Sequence, residues 1–147
     1  MKYILPILLS IFIISCGPSS NDGSPFTFEE GDQGMELFEN GKAVYFYQKE
    51  PKAISEGYIC NNYLHPLYSL EGDILTEEAP PDHLHHRGIF WSWHQHYING
   101  QNIGDGWMMD GISKEVVEWE TKTDKNKASL HLKVLWSSSN FENGRAY

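Results

Sequence analysis

The chain has 147 residues, and its 20 acidic side chains outnumber its 11 Lys and Arg side chains, which gives a formal charge of −9. Aromatic residues make up 14% of the sequence and include 5 Trp. This composition excludes a disordered chain, which would be poor in aromatic residues, and a nucleic-acid-binding protein, which needs a basic surface. The 2 cysteines are too few for a disulfide framework. We therefore expect one compact acidic domain without a nucleic-acid partner.

The first 16 residues have the pattern of a secretory signal. Lys2 supplies a positive charge, and residues 4–14 form an apolar run that is too short to span a bilayer. Residues 13–15, which precede Cys16, resemble a bacterial lipobox, and that resemblance implies that Cys16 is acylated. A plain signal peptide is the alternative. We predict a lipoprotein of the bacterial cell envelope, on the periplasmic face or the outer surface, whose lipid is its only attachment to the membrane.

Residues 17–25 are rich in Gly, Pro and Ser and predict a flexible tether, so the folded domain is expected over residues 26–147. Asn40 and Gly41 predict a hairpin turn between strands at residues 35–38 and 43–47.

A second predicted strand pair spans residues 116–121 and 128–136. On its later strand four apolar residues share the predicted core face: Leu130, Leu132, Val134 and Trp136. His131 alternates with them and is expected to be exposed. Short strands separated by turns predict an all-β fold, an antiparallel β-sandwich.

Residues 88–97 predict a further strand, followed by a turn at Asn99 and Gly100. Alternation divides this strand into two faces. We expect the first face to lie in the core: Ile89, Trp91, Trp93, Gln95 and Tyr97. We expect the second face to point towards a cleft or towards solvent: Phe90, Ser92, His94 and His96. Asn143 and Gly144 predict one more hairpin turn at the end of the sequence, and we expect the sandwich to be incomplete in this chain.

Five of the 7 histidines lie between residues 83 and 96: His83, His85, His86, His94 and His96. Imidazole titrates near neutral pH, so it can donate or accept a proton, and its neutral form binds metals. Asp82 and Arg87 flank the first three of these histidines. This density of titratable groups predicts a functional site.

Two His-x-His pairs allow an alternative, a metal site built from His83, His85, His94 and His96. Side chains two residues apart on a strand point the same way and can chelate one ion. The permanent charge of Arg87 opposes a cation and favours an anionic or hydroxyl-rich ligand. Our main hypothesis is therefore a site without a metal, and the metal site is the weaker alternative. The sequence identifies no cofactor.

Three other residues are considered for a functional or a structural role. Trp107 follows a flexible Gly-Asp-Gly segment and either stacks on a sugar ring or closes the edge of the sandwich. Trp119 is expected in the core. Cys60 is expected to be buried and inert.

Residues 63–77 and 81–91 resemble the PmoA-like family of bacterial proteins. The shared features are a His-Pro-Leu segment, a Gly-x-x-x-Thr segment, and an Asp-His-x-His-His-Arg-Gly string before an aromatic strand. The similarity covers roughly residues 35–147, and it implies a sugar-mutarotase-like β-sandwich in lipidated or secreted proteins of bacteria that degrade carbohydrate. The family pattern singles out His65, Asp82, His83, His85, His86, Arg87 and Gly88.

Together these observations predict a lipoprotein that binds, and in an enzymatic form transforms, a sugar-derived ligand. One of His83, His85 and His86 acts as a base in this hypothesis, another of them or His65 acts as an acid, and Arg87, beside Asp82, orients the ligand. The expected ligand-binding residues are His94, His96 and Trp107. The alternatives are a glycan-binding module without turnover and a metal-dependent oxygenase or hydrolase. The oligomeric state stays open.

Overall fold

A computed structural model describes residues 23–145. The predicted signal peptide, the Cys16 lipidation site and most of the tether lie outside the described residues. The described part contains β1 (Phe26–Glu30), β2 (Gly34–Glu39), β3 (Lys42–Gln48), β4 (Lys52–Ser55), β5 (Tyr58–Cys60), β6 (Tyr63–Leu67), β7 (Ile89–Phe90), β8 (His96–Ile98), β9 (Gln101–Gly104), β10 (Ile112–Thr123), β11 (Ala128–Ser138) and a 3-10 helix (Glu142–Gly144). All strand pairs in this part are antiparallel. The predicted all-β antiparallel sandwich is confirmed.

The larger layer is a five-stranded sheet in the order β1-β2-β3-β6-β7. The predicted turn between β2 and β3 is confirmed, because Asn40 and Gly41 have φ values of 50° and 76°, as a tight hairpin requires. The buried apolar residues of this layer include Met35, Leu37, Tyr47 and Tyr63. Cys60, at the end of β5, is buried as predicted.

The second layer is the long β10–β11 ribbon, whose strands pair as predicted. Leu130 and Leu132 face Tyr45 and Tyr47 of the sheet across a cavity of about 300 Å³. His131, between the two leucines, is exposed as expected. The predicted core face of β11 is therefore confirmed at Leu130 and Leu132, which are half-buried, whereas Val134 and Trp136 line a second groove at the surface.

Trp119 of β10 is 40% exposed, so its prediction as a core residue is wrong. Its indole Nε1 donates to the Glu30 carboxylate over 3.3 Å, and the Lys49 ammonium lies 4.1 Å from its ring centroid. Glu30 is the last residue of β1, and Lys49 directly follows β3. Trp119 therefore connects the ribbon to the first sheet through contacts at the protein surface.

Residues 88–97 do not form one strand, because only the strands β7 and β8 are regular here. The face predicted for the core is wrong: its large side chains are more than half exposed, namely Ile89, Trp91, Trp93 and Tyr97. Phe90 and His96 are half-buried instead. The reason is that the Arg87 guanidinium lies over Phe90 and the Trp136 ring contacts His96, so these interior groups occupy the opposite face.

Two further turn predictions have different outcomes. Asn99 and Gly100, with φ values of 50° and 80°, connect β8 to β9 as expected. Asn143 and Gly144 belong to the one-turn 3-10 helix and do not join two strands of the described residues. Across residues 23–145, no helix is long and apolar enough to cross a bilayer.

Candidate functional site

The predicted histidine motif lies in a loop that makes two successive turns. The His83 N–H donates to the Pro80 carbonyl over 2.9 Å, and the His86 N–H donates to the His83 carbonyl over 2.9 Å. Pro81 is at the second position of the first turn, where its fixed φ is favourable. The Ala79 N–H donates to the His86 carbonyl over 2.8 Å and closes the loop. The turns place the three histidines side by side on the surface.

The central feature of the site is a group of rings that we call the imidazole cluster: His83, His85, His86 and Trp107. The His83 and His86 rings stack with centroids 4.6 Å apart, and the His85 ring meets the His86 ring edge-on at 4.6 Å. The Trp107 ring centroid lies 6.0 Å from those of both His85 and His86. The structure therefore brings together three of the predicted catalytic residues and one predicted ligand-binding residue.

His85 differs from its neighbours in its surroundings. Its pKa is lowered, first by burial and then by the nearby His86, His83 and Arg87. A lowered pKa means that the His85 imidazole stays neutral to more acidic pH than an ordinary histidine. This ring is consequently available to accept a proton near neutral pH.

Asp82 lies at the exposed rim of the cluster. Its Oδ2 is 3.0 Å from Nδ1 of His83, and the hydrogen bond from His83 lowers the pKa of the Asp82 carboxyl group. The carboxylate therefore orients the His83 ring.

Arg87 is completely buried beneath the cluster, with 0% of its surface exposed. Its guanidinium donates to the carbonyls of His85 at 2.8 Å, Trp107 at 3.1 Å and Gly106 at 3.2 Å. None of the ion pairs within residues 23–145 includes Arg87, and burial lowers its pKa. The prediction that Arg87 orients a ligand is corrected: its two terminal nitrogens donate to backbone carbonyls and hold two loops together, while its buried Nε has no partner among the described residues.

The second of these loops, residues 105–110, is organised by Asp105. One carboxylate oxygen accepts the N–H groups of Trp107 at 2.9 Å and Met108 at 3.0 Å, and the other lies 2.6 Å from Nδ1 of His94. Trp107 is 37% exposed, and its ring contacts those of His85, His86 and Phe90, so the choice between its two interpretations stays a prediction.

His94 and His96 do not form the predicted pair. His94 precedes β8, and its side chain, 70% exposed, turns to Asp105. His96 packs against the rings of Trp93 and Trp136, with centroids 5.7 Å and 5.3 Å away. Strand alternation does not apply to His94 because it lies outside the strand.

The same correction applies to the weaker metal alternative. His83 and His85 lie in turns, and within the part of the chain that the structure describes no group of three or more His, Cys, Asp or Glu side chains is arranged to hold a metal ion. The donor geometry expected for His-x-His pairs on strands is therefore not formed.

His65 lies apart from the imidazole cluster. Its Nδ1 is 2.9 Å from the Thr76 hydroxyl, and it lines a separate groove that also includes Lys52 and Glu78. The prediction of His65 as an acid partner of the cluster is corrected by this placement. Gly88 has a structural role, since a Cβ at its φ of +58° would overlap the Leu64 carbonyl.

Sequence reasoning missed Lys114, which lies beneath the neighbouring surface. Only 6% of it is exposed, its Nζ donates to the Trp91 carbonyl over 3.0 Å, and its Nζ lies 4.4 Å from the Trp136 ring centroid. Burial, followed by the charge of Arg87, lowers the pKa of Lys114 to about 8. The sequence signal that could have indicated its burial is its position two residues after Ile112 on β10, which places both side chains on the same buried face.

Comparison with known proteins identifies a family. A family of unknown function, DUF6807, matches residues 35–145. The chain belongs to this family. No curated protein and no solved structure gives a significant match to it. The DUF6807 match includes the imidazole cluster, Arg87 and Lys114, so the site belongs to the family region. The PmoA-like resemblance and the sugar-mutarotase-like topology stay predictions.

Proposed function

We propose that this DUF6807 protein is a lipoprotein of the cell envelope that binds a sugar-derived ligand on the imidazole cluster and transfers protons there. The observation that carries the proposal is the contact of three surface imidazoles with one partly exposed indole. The attachment and the PmoA-like relationship are supported by the sequence motifs around Cys16 and Asp82.

The binding step would use the exposed part of Trp107. A sugar ring has an apolar face of C–H groups, and an exposed indole presents a matching apolar surface with a polar edge. Asp82 and His83, exposed at the rim of the cluster, offer an acceptor and a ring nitrogen to sugar hydroxyls. These groups suit a ligand that is apolar on one face and rich in hydroxyls at its edge.

The proton-transfer step would use His85 as the base, because its lowered pKa keeps the ring neutral. His86, whose centroid is 4.6 Å away, would be the acid. Arg87 touches no ligand in this scheme and acts as a positioning residue, since it binds the His85 carbonyl from below. A positioned acid or base contributes about 10²- to 10⁴-fold to the rate.

The test compares His85→Ala and His86→Ala with His131→Ala, an exposed histidine of β11 that lies outside the cluster. The probes are glucose, galactose, glucuronate and galacturonate. NMR measures their binding by saturation transfer and their turnover by exchange between anomers or loss of carbon-bound protons. We expect His131→Ala to behave as wild type. We expect His86→Ala to weaken binding and also to lose turnover because it removes the acid, and His85→Ala to bind but lose turnover by about 10²-fold or more.

The NMR results also separate the enzyme from a glycan-binding module, which the exposed tryptophans favour. Binding by wild type without turnover supports the module. Wild-type behaviour of both His85→Ala and His86→Ala contradicts a role for the cluster.

The lipid anchor has a separate test. Labelling cells with radioactive palmitate should mark the wild-type protein and leave a Cys16→Ala variant unlabelled. An unlabelled wild-type protein contradicts acylation at Cys16.

A further inference from the structure

A second surface feature adjoins the imidazole cluster, and we call it the tryptophan groove. It encloses about 430 Å³ and is lined by Asn62, Trp91, Trp93, His96, Val134 and Trp136. Trp91 is 69% exposed and Trp93 is 54% exposed. The Trp93 ring centroid lies 5.9 Å from that of Trp91 and 5.8 Å from that of Trp136. Apolar aromatic surface of this kind, left open to water, marks a binding site.

The charges beneath the groove have no carboxylate partner. Lys114 contacts two of the groove-lining residues through its Nζ, and Arg87 is near enough to lower the pKa of Lys114. Neither cation belongs to any ion pair within residues 23–145, and no acidic side chain lines the groove. Buried cations that lack a counter-charge attract an anion. Two unpaired cations therefore lie beneath the groove in a chain whose formal charge is −9, and Asp105, paired with His94, is the carboxylate that acts on its His96 wall.

The groove and the imidazole cluster share a wall. The Trp107 N–H of the cluster donates to the Trp93 carbonyl of the groove over 3.0 Å. Gly106, between the two, is bound from one side by Arg87 and lies against His96 on the other. A ligand that extends beyond one sugar unit from the cluster would continue over Trp93.

We propose that the tryptophan groove binds an acidic oligosaccharide, with sugar rings stacked on Trp93 and Trp91 and a carboxylate drawn towards Lys114. The inference rests on the proposed function for the neighbouring cluster, and it specifies the ligand as a chain that carries uronic acids. Stacking supplies affinity for the sugar rings, and the unpaired cations supply the preference for acidic units.

The experiment measures calorimetric affinities for trigalacturonate, its neutral analogue galactotriose, and monomeric galacturonate. We expect wild type to bind trigalacturonate about tenfold or more tightly than the other two. Trp93→Ala and Trp91→Ala, two exposed positions, should each remove that advantage. Tyr97→Ala is the matched control, because Tyr97 is an exposed aromatic residue of the same segment that does not line the groove.

Lys114→Met tests the charge separately. This variant keeps an unbranched side chain, and we expect it to lose most of the preference for trigalacturonate over galactotriose, because Arg87 is then the only cation left beneath the groove. In wild type the preference for trigalacturonate should fall between pH 7 and pH 9, since the Lys114 ammonium, which faces Arg87, Cys60 and His96, loses its proton near pH 8. Lys114→Met should show no such change. Near-ultraviolet circular dichroism confirms that each variant is folded.

Two results overturn the inference: equal affinity of wild type for the acidic and neutral trisaccharides, or unchanged trigalacturonate binding in both tryptophan variants. Either result leaves the proposed function intact if monosaccharides bind and His86→Ala weakens that binding. If trigalacturonate binding depends on Trp93 but no monosaccharide binds the cluster, the groove proposal is supported and the proposed function of the cluster is contradicted.

Discussion

Gly106 lies between the imidazole cluster and the tryptophan groove. A Cβ at this position would lie 2.5 Å from Nε2 of His96 and 2.7 Å from Oγ of Ser92. Both of those atoms are buried and lack a hydrogen-bond partner among the described residues. The absence of a side chain is therefore what lets the Trp107 loop approach the groove so closely.

Gly106→Ala should destabilise the protein by about 1–3 kcal/mol, because overpacking forces the neighbouring groups apart. Gly31→Ala is the matched control: neither glycine has a positive φ, and a Cβ at Gly31 meets nothing within 4 Å. Urea unfolding measures both changes. Equal stabilities of the two variants would show that the loop moves freely away from His96.

Single residues also mark the limit of prediction from the sequence. The clustering of His83, His85 and His86 follows from their density and from the turn residues before them, whereas the contact of Trp107 with them depends on the long-range hydrogen bonds of Arg87. The burial of Arg87 and Lys114 does not, because a charged residue is normally exposed and only tertiary contacts with backbone carbonyls make its burial tolerable.

At the scale of elements, local signals decide which predictions are correct. The Asn-Gly turns at Asn40 and Asn99 are confirmed because positive φ at both central residues is a local requirement. Residues 88–97 have equally clear alternation, yet only their two ends are strands. Here Arg87 binds the loop of residues 105–110 and lies over Phe90, so long-range contacts reverse the buried face. The periodicity of apolar residues in the sequence carries no information about such a long-range contact.

The loop of residues 105–110 combines a local interaction that the sequence indicates with a long-range interaction that it does not. Asp105 binds two N–H groups of its own loop and the distant His94. The first interaction is a local turn that the sequence Gly-Asp-Gly indicates. The second forms because the antiparallel pairing of β8 with β9 brings the residues at the open end of this hairpin together, whereas the strand prediction placed His94 within a longer strand.

At the scale of the whole molecule, the two layers are held together by few polar contacts outside the core. The Asn61 amide donates to the Lys114 carbonyl over 2.9 Å and connects β5 to β10 at one end. Trp119 connects β10 to the first sheet at the other end through Glu30 and Lys49, which are themselves 3.4 Å apart. The ribbon must stay docked for Lys114 and Trp136 to reach the groove.

Trp119→Ala should therefore lower the free energy of unfolding by about 1–2 kcal/mol, because it removes one hydrogen bond to a charged group and one cation–π contact at a partly exposed site. Lys133→Ala is the control on the same ribbon, since its pair with Glu118 is exposed on both sides and contributes less than about 1 kcal/mol. Hydrogen exchange should show faster exchange of the β10 and β11 amides in Trp119→Ala, and unchanged exchange in the β2–β3 hairpin. Unaltered protection of the ribbon would mean that its apolar face, with Leu130 and Leu132, is sufficient for docking.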